Sequence, residues 1–223
     1  MTSDSISFDH SAAIDGLIER SFEAFKPPER LTVSEWAVRH RRLSPEGSAF
    51  TGRFRLETAP YQQEPMEAVN DADVQSVVLM WASQTGKTEV INNVVGFFIC
   101  EEPSPMLILQ PTLDMAETWS KDRLAPMVRD TAVLTDLVAD AKARDSGNTV
   151  LHKRFTGGHV TVAGANSPAS LASRPIRVVL CDEVDRYPQS AGAEGDPISL
   201  AQKRRDTFFN SVHVTTATPT IKG

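Results

Sequence analysis

An α/β fold with a mostly parallel central sheet flanked by helices is predicted from three features of the chain. Short apolar, partly β-branched runs recur at residues 76–80, 105–110, 176–181 and 211–216. Stretches of helical periodicity separate them, the alternation that builds a parallel sheet. The runs at 76–80, 176–181 and 211–216 end in polar strings rich in Gly, Asp, Glu or Thr. In open α/β sheets such strand ends gather at one edge and bind ligands there.

Taken in order, residues 1–10 read as disordered. Residues 12–25 carry Ile14, Leu17, Ile18, Phe22 and Phe25 at helical spacing, and Pro27-Pro28 ends the helix. It is read as packing on its own domain, with docking to a partner as the alternative. The division is therefore an N-terminal arm at 1–29 and a domain at 30–223. Residues 32–40 form a short helix with Ser34 as the candidate cap. Residues 47–56 are loop or edge strand, and 60–69 a helix leading into the first core strand. Ser76-Val77-Val78-Leu79-Met80 reads as a buried parallel strand, followed by a helix at 89–98. Met106-Leu107-Ile108-Leu109 is the next strand. Residues 112–128 are helical, with Leu113, Ala116, Leu124 and Met127 on the buried side. Residues 145–148 make a turn, and 150–155 and 159–163 a hairpin about Gly157-Gly158. A near-continuous apolar strand runs from 176 to 181, a helix from 198 to 209, and a β-branched strand follows. The sheet is expected to be covered on both faces.

Two of the strand ends carry chemistry. Trp81-Ala82-Ser83-Gln84-Thr85-Gly86-Lys87-Thr88 follows the first core strand and opens a helix. Such a loop wraps phosphates with backbone N–H groups, aided by the positive end of the helix dipole. Ser83, Gln84, Thr85 and Gly86 line it, Lys87 reaches the β- and γ-phosphates, and Thr88 ligates magnesium. Glycine at 86 keeps a side chain out of the way of the phosphate. Trp81 stands where the usual pattern has its first glycine. The second string is Val178-Val179-Leu180-Cys181-Asp182-Glu183. Asp182 at the strand end is placed to hold magnesium, and Glu183 to orient and deprotonate water. Neighbours on an extended strand face opposite ways, so this pairing requires the strand to end there. Together the strings describe a P-loop NTPase that hydrolyses ATP with Mg2+. The third strand ends in Thr215-Thr216-Ala217-Thr218-Pro219, small hydroxyl residues able to sense the γ-phosphate and move a loop.

Composition sets the outer limits. The 223 residues allow one sizeable core, or a core plus an arm. A net charge of −6 is wrong for a protein that coats nucleic acid through its whole surface. It leaves room for a local basic track, because weak and releasable nucleic-acid binding needs only a few Lys and Arg contacts. Lys153-Arg154 and Lys203-Arg204-Arg205 are candidates, and read more simply as solvated clusters. Cys100 and Cys181 have no metal-ligand spacing and read as reduced and buried. None of His10, His40, His152, His159 and His213 has ligand spacing. No stretch is apolar enough to span a membrane, and the N-terminus lacks a signal-peptide pattern.

The order Ser-Gln-Thr-Gly-Lys-Thr, Leu-Cys-Asp-Glu-Val-Asp, Thr-Ala-Thr-Pro resembles the ATPase half of the large terminase subunit of tailed bacteriophages, of the lambda-like GpA type. Residues 31–37, 41–44, 60–62 and 165–175 add to the likeness, which covers nearly all of 30–220. The resemblance implies a motor that packages viral DNA into an empty capsid, in the cytoplasm of a bacterial host. ATP, magnesium, double-stranded DNA, a small terminase subunit, the portal protein of the procapsid and a homo-oligomeric ring come with it. It assigns the phosphate loop to Lys87 and Thr88, magnesium to Asp182, catalysis to Glu183, coupling to Thr216, Ala217 and Thr218, and adenine contact to the region of Tyr61 and Gln62. Many terminases carry an arginine inside the loop, where this chain has Ser83 and Gln84. Arg174 is the candidate for that charge, with action on a neighbouring subunit as one way to supply it. The family's large subunits also carry a C-terminal nuclease domain, for which the sequence up to Gly223 leaves no room. Two rival readings are a helicase-like DNA translocase, which needs a second motor domain, and a truncated prophage remnant that binds nucleotide or partner subunits without turnover.

Overall fold

The computed structural model describes residues 14–18, 21–22, 30–138, 148–167 and 174–219. The chain divides into two units, Met1–Arg30 and Leu31–Gly223. In the first, residues 14–18 and 21–22 are helical, and Ile14, Leu17, Ile18 and Phe22 are exposed. Phe25, the disorder expected at 1–10 and the turn expected at 145–148 involve positions outside the described residues.

The second unit is built on a six-stranded sheet. Its strands in chain order are β1 (Ser76–Met80), β2 (Pro105–Gln110), β3 (His152–Phe155), β4 (Gly158–Gly164), β5 (Val178–Cys181) and β6 (Val212–Ala217). Their spatial order is β1-β6-β5-β2-β4-β3. Every neighbouring pair is parallel except the β3–β4 hairpin. The last strand in sequence therefore lies between the first and the fifth. Parallel alignment brings the carboxyl ends of β1, β6, β5 and β2 to one edge. The register Met80↔Ala217, Cys181↔Thr215 and Leu109↔Cys181 fixes which residues meet there.

Helix α1 (Val33–His40) starts at Thr32, not at the expected Ser34. Thr32 and Glu35 form a reciprocal capping box, which satisfies two otherwise orphaned N–H groups. A short helix, α2 (Gln63–Ala68), follows one turn of 3₁₀ helix at Pro60–Gln62. Helix α3 (Lys87–Cys100) is apolar on nearly every side and buries Val90, Ile91, Val94, Val95, Phe97 and Phe98. A helix of this kind is enclosed rather than amphipathic. Gly96 lets α1 come close: a Cβ there would lie 1.9 Å from Cη2 of Trp36, itself fully buried.

Four further expectations are corrected. β1 is an edge strand, so Val78 and Met80 are 65% and 68% exposed and that part of one sheet face is uncovered. The helix expected at 112–128 is α4 (Leu113–Trp119), a π turn at Ser120–Leu124, and α5 (Ala125–Asp130). Pro126 has no N–H to donate back along the helix, so the hydrogen-bond ladder is re-spaced before it. The helix expected at 198–209 is α6 (Pro197–Gln202), capped by Asp196, plus a 3₁₀ turn at Lys203–Arg205. The chain is held there by Arg204 O, which accepts from Ile176 N at 3.1 Å, and it must then turn to feed β6. Cys181 is buried as expected, whereas Cys100 is only partly so.

Candidate nucleotide site

The loop after β1 runs from Trp81 to Gly86 and delivers the chain into α3. Two of its residues are left-handed, Gln84 with φ 60° and Gly86 with φ 81°. Only the second suits its residue type without strain. A Cβ at 86 would also lie 2.3 Å from Nε2 of Gln62, so that amide would have to give way. That amide donates to the carbonyls of Thr85 and Gly86 at 3.3 Å each, and the Tyr61 hydroxyl donates to Thr85 O at 3.0 Å. Tyr61 and Gln62 thus brace the loop backbone from outside. Trp81, the departure from the usual glycine, meets Tyr61 edge to face at 5.3 Å and joins this brace. Ser83 is exposed, and Thr85 Oγ1 donates to Ala82 O at 2.8 Å. The Lys87 ammonium donates to Trp81 O and Ala82 O at 2.9 and 2.7 Å, so the loop's own carbonyls hold the charge over the loop.

Across the sheet, Asp182 follows β5 and is 3% exposed. Its Oδ2 accepts from Thr88 Oγ1 at 3.4 Å and from Gln110 Nε2 at 3.3 Å, and its Oδ1 from Thr216 Oγ1 at 2.6 Å. The carboxylate therefore ties together α3, β2 and β6. Glu183 takes a left-handed backbone, φ 53°, which ends the strand abruptly and lets consecutive carboxylates serve one edge. Its N–H donates to Thr216 Oγ1 at 3.1 Å. Burial raises the pKa of Glu183 above the ordinary carboxylate value; Arg186 opposes this, Asp182 and Asp185 add to it, and Lys87 opposes it. Arg186 Nη1 lies 3.1 Å from Glu183 Oε2. The contact is an ion pair without an aligned hydrogen bond, since that oxygen is buried and accepts none. Beyond it, Asp185 Oδ1 accepts from Thr218 N at 2.9 Å.

Of the sequence-predicted residues, Lys87, Thr88, Asp182, Glu183, Thr216 and the loop at 83–86 come together at this edge. Ala217 pairs with Met80 beside them. Arg174 does not join them. Its charge, with that of Arg154, acts on His152 and His159, adding to burial in lowering their pKa values. His159 pairs with Pro105 at the start of β2, the opposite end of the strands. Within one chain Arg174 thus lies at the opposite end of the strands from the loop. Three residues were missed. Gln110 was readable as a polar end to an apolar run. Arg186 follows the second motif directly. Glu89, in the first turn of α3, pairs with buried Arg41 at 3.1 Å and with Arg123 at 3.9 Å, a contact no local pattern announces.

The donor set fits magnesium. A hydroxyl and a carboxylate are the hard oxygen ligands it takes, one or two at a time, with water and phosphate oxygens completing its shell. Correspondingly, among the described residues no group of three or more His, Cys, Asp or Glu could hold a metal.

Comparison with known proteins identifies the family. Residues 48–223 match the family "Phage terminase large subunit gpA, ATPase domain". The chain belongs to this family. It is similar to the large terminase subunit of Enterobacteria phage P21, 28% identical over 197 residues, and to that of Escherichia phage lambda, 27% identical over the same length. Each match covers 88% of this chain and 30% of the relative, so the chain spans about a third of the curated relatives it matches. Among solved structures, the HK97 bacteriophage large terminase matches with a TM-score of 0.63 at 15% identity, over 84% of this chain and 38% of that one. The Thermus phage P74-26 large terminase ATPase domain matches at 0.51 and 16%, over 75% and 69%. These two likenesses concern the fold: an α/β P-loop NTPase sheet like that of terminase ATPase domains.

Proposed function

We propose that this ATPase domain is the motor of a phage DNA-packaging machine, hydrolysing ATP with Mg2+ to move double-stranded viral DNA into the procapsid. In this reading Ser83, Gln84, Thr85 and Gly86 surround the phosphates with backbone amides, and Lys87 leaves its loop carbonyls for the β- and γ-phosphates. Thr88 and Asp182 hold magnesium, which when bound supplies charge neutralisation at the phosphate oxygens. Glu183 orients a water and takes its proton as the water oxygen bonds to the γ-phosphorus. The bond from that phosphorus to the bridging oxygen breaks, and its electron pair stays on ADP. Tyr61 and Gln62 hold the loop beside the nucleotide. Thr216, Ala217 and Thr218 carry the change onward.

The observation that supports coupling most directly is the Thr216 hydroxyl, which serves both the proposed magnesium ligand Asp182 and the backbone of the proposed base Glu183. The Asp185–Thr218 bond continues that link into the loop after β6. A shift at the γ-phosphate thereby becomes a shift of β6. The working form proposed is a homo-oligomeric ring with the small terminase subunit and the portal protein, in the cytoplasm of the bacterial host. Arg174 would act there on a neighbouring subunit. Among the described residues no helix is long and apolar enough to cross a membrane.

The reading is tested by Glu183→Gln, measured for ATP binding and for turnover. Binding is expected to persist while turnover falls at least about 100-fold, the usual worth of a positioned base. Turnover equal to the parent would overturn the assignment of Glu183.

A further inference from the structure

Phosphoryl transfer spreads negative charge over the equatorial oxygens, and many NTPases meet it with an arginine from the same chain or from a partner. The loop at 81–88 contains Lys87 and no arginine. Within its own chain Arg174 lies at the opposite strand ends, where it acts on His152 and His159, which leaves it only a neighbouring subunit's site. Arg41 and Arg123 face Glu89, and Arg177 is held by Glu102 and Ser104 near the start of β2. Arg186 stands at the right edge. It follows the second motif, its side chain is 60% exposed, and its guanidinium is 3.1 Å from an oxygen of Glu183.

We propose that Arg186 is a catalytic residue of its own chain: on ATP binding its guanidinium moves from Glu183 to the γ-phosphoryl oxygens and supplies the charge the loop lacks. The assignment rests on the reading of Glu183 as the base.

Three features carry it. The Arg186–Glu183 contact has charge attraction but no aligned hydrogen bond. Its Arg186 end is exposed and is held to Glu183 by charge alone, so the guanidinium can be exchanged to a phosphate, which takes it two-pronged. The backbone beneath Arg186 is fixed, so the side chain can move while its origin stays. Arg186 N donates to Glu183 O at 3.0 Å, Tyr187 N to Val184 O at 3.1 Å, the Tyr187 hydroxyl to Leu109 O at 2.8 Å, and Asp185 is tied to Thr218. Lastly, a guanidinium against Oε2 draws on that oxygen's charge and makes it a weaker base toward water. Departure of Arg186 frees Oε2 for the water in the same motion that brings charge to the phosphate. The reaction stays balanced without any added partner: water oxygen to phosphorus, bridging oxygen to ADP, proton to Glu183.

The test uses the full chain with linear duplex DNA, as the parent, Arg186→Ala, Arg186→Lys and Lys87→Ala. Affinities are measured for magnesium–ADP and for magnesium–ADP with aluminium fluoride, which imitates the transferring phosphoryl group, beside kcat and KM for ATP. For Arg186→Ala we expect ADP affinity within about twofold of the parent and analogue affinity weakened at least about 100-fold, with kcat reduced and KM held. Lysine should restore only part of this, having a point charge in place of a planar fork. Unchanged analogue affinity in Arg186→Ala, with Lys87→Ala weakened, overturns Arg186 alone. A raised kcat in Arg186→Ala also overturns it and makes the residue a brake on Glu183. If Lys87→Ala keeps parental affinity for both ligands, the nucleotide-site reading falls, and this assignment with it. Mixing Arg186→Ala with Lys87→Ala distinguishes same-chain from neighbouring-chain action: recovered turnover would overturn the same-chain claim.

Discussion

Thr216→Val removes one oxygen at the point where the site and the coupling strand meet. Thr216 is fully buried, and valine has nearly its shape, so no cavity or clash confuses the result. The hydroxyl donates to Asp182 Oδ1 at 2.6 Å and accepts from Glu183 N at 3.1 Å. The first is a hydrogen bond to a carboxylate, worth about 1.5–3 kcal/mol; the second loss strands a backbone N–H at about 1–3 kcal/mol. Because Asp182 keeps Thr88 and Gln110 as partners on its other oxygen, we take the lower end of both ranges, a loss of about 2.5 kcal/mol. For a domain of this size that lowers the melting temperature by about 5–10 °C. Urea unfolding measures the first quantity and a thermal melt the second. Turnover should fall as well, since Asp182 and Glu183 both lose a support, and Thr216→Ser should restore stability and turnover together. Thr216→Val with parental stability and turnover would refute the claim that this hydroxyl joins the two halves of the site.

Gly86→Ala should abolish ATP binding and destabilise the fold by about 1–3 kcal/mol, because alanine is strained at φ 81° and its Cβ meets the Gln62 amide. Adding Gln62→Ala should relieve the clash but not the strain, so binding measured in the double variant should recover only in part. His213 gives a pH signature. Burial holds its pKa down to about 4, with Arg205 adding to the effect, against about 6.5 for the free side chain. Between those values the unfolded chain binds the proton that the folded chain refuses, so stability rises with pH. The full contribution is present above about 6.5 and is lost as pH falls toward 4, by up to about 3 kcal/mol. Unfolding free energies across that interval should lose this slope in His213→Gln; an unchanged slope would contradict the assignment.

The strands and the site motifs were legible because each is local. Apolar β-branched runs bounded by polar strings located β1, β2, β5 and β6 to within a residue or two, and the strand ends carried Lys87, Thr88, Asp182 and Glu183. What escaped is set by partners distant in sequence. Ser76–Met80 reads like any buried strand, and only the pairing of β6 between β1 and β5 leaves Val78 and Met80 exposed at an edge. Arg174 lies close in sequence to the second motif, yet it precedes β5 and so falls at the far end of the strands. Arg186 follows β5 and falls at the near end. That difference is written in the direction of the strand and could have been used. The Thr32–Glu35 capping box was likewise readable from its spacing. The Arg41–Glu89 pair was not, since nothing but the folded chain brings those residues together.

The central claim is that this edge of the sheet hydrolyses ATP and passes the result to DNA. It is tested most directly by magnesium-dependent ATP hydrolysis of the purified chain, with and without linear double-stranded DNA, beside Lys87→Ala. The account predicts turnover that DNA stimulates and that Lys87→Ala loses. ATP bound without turnover under either condition, or turnover that survives Lys87→Ala, would contradict it.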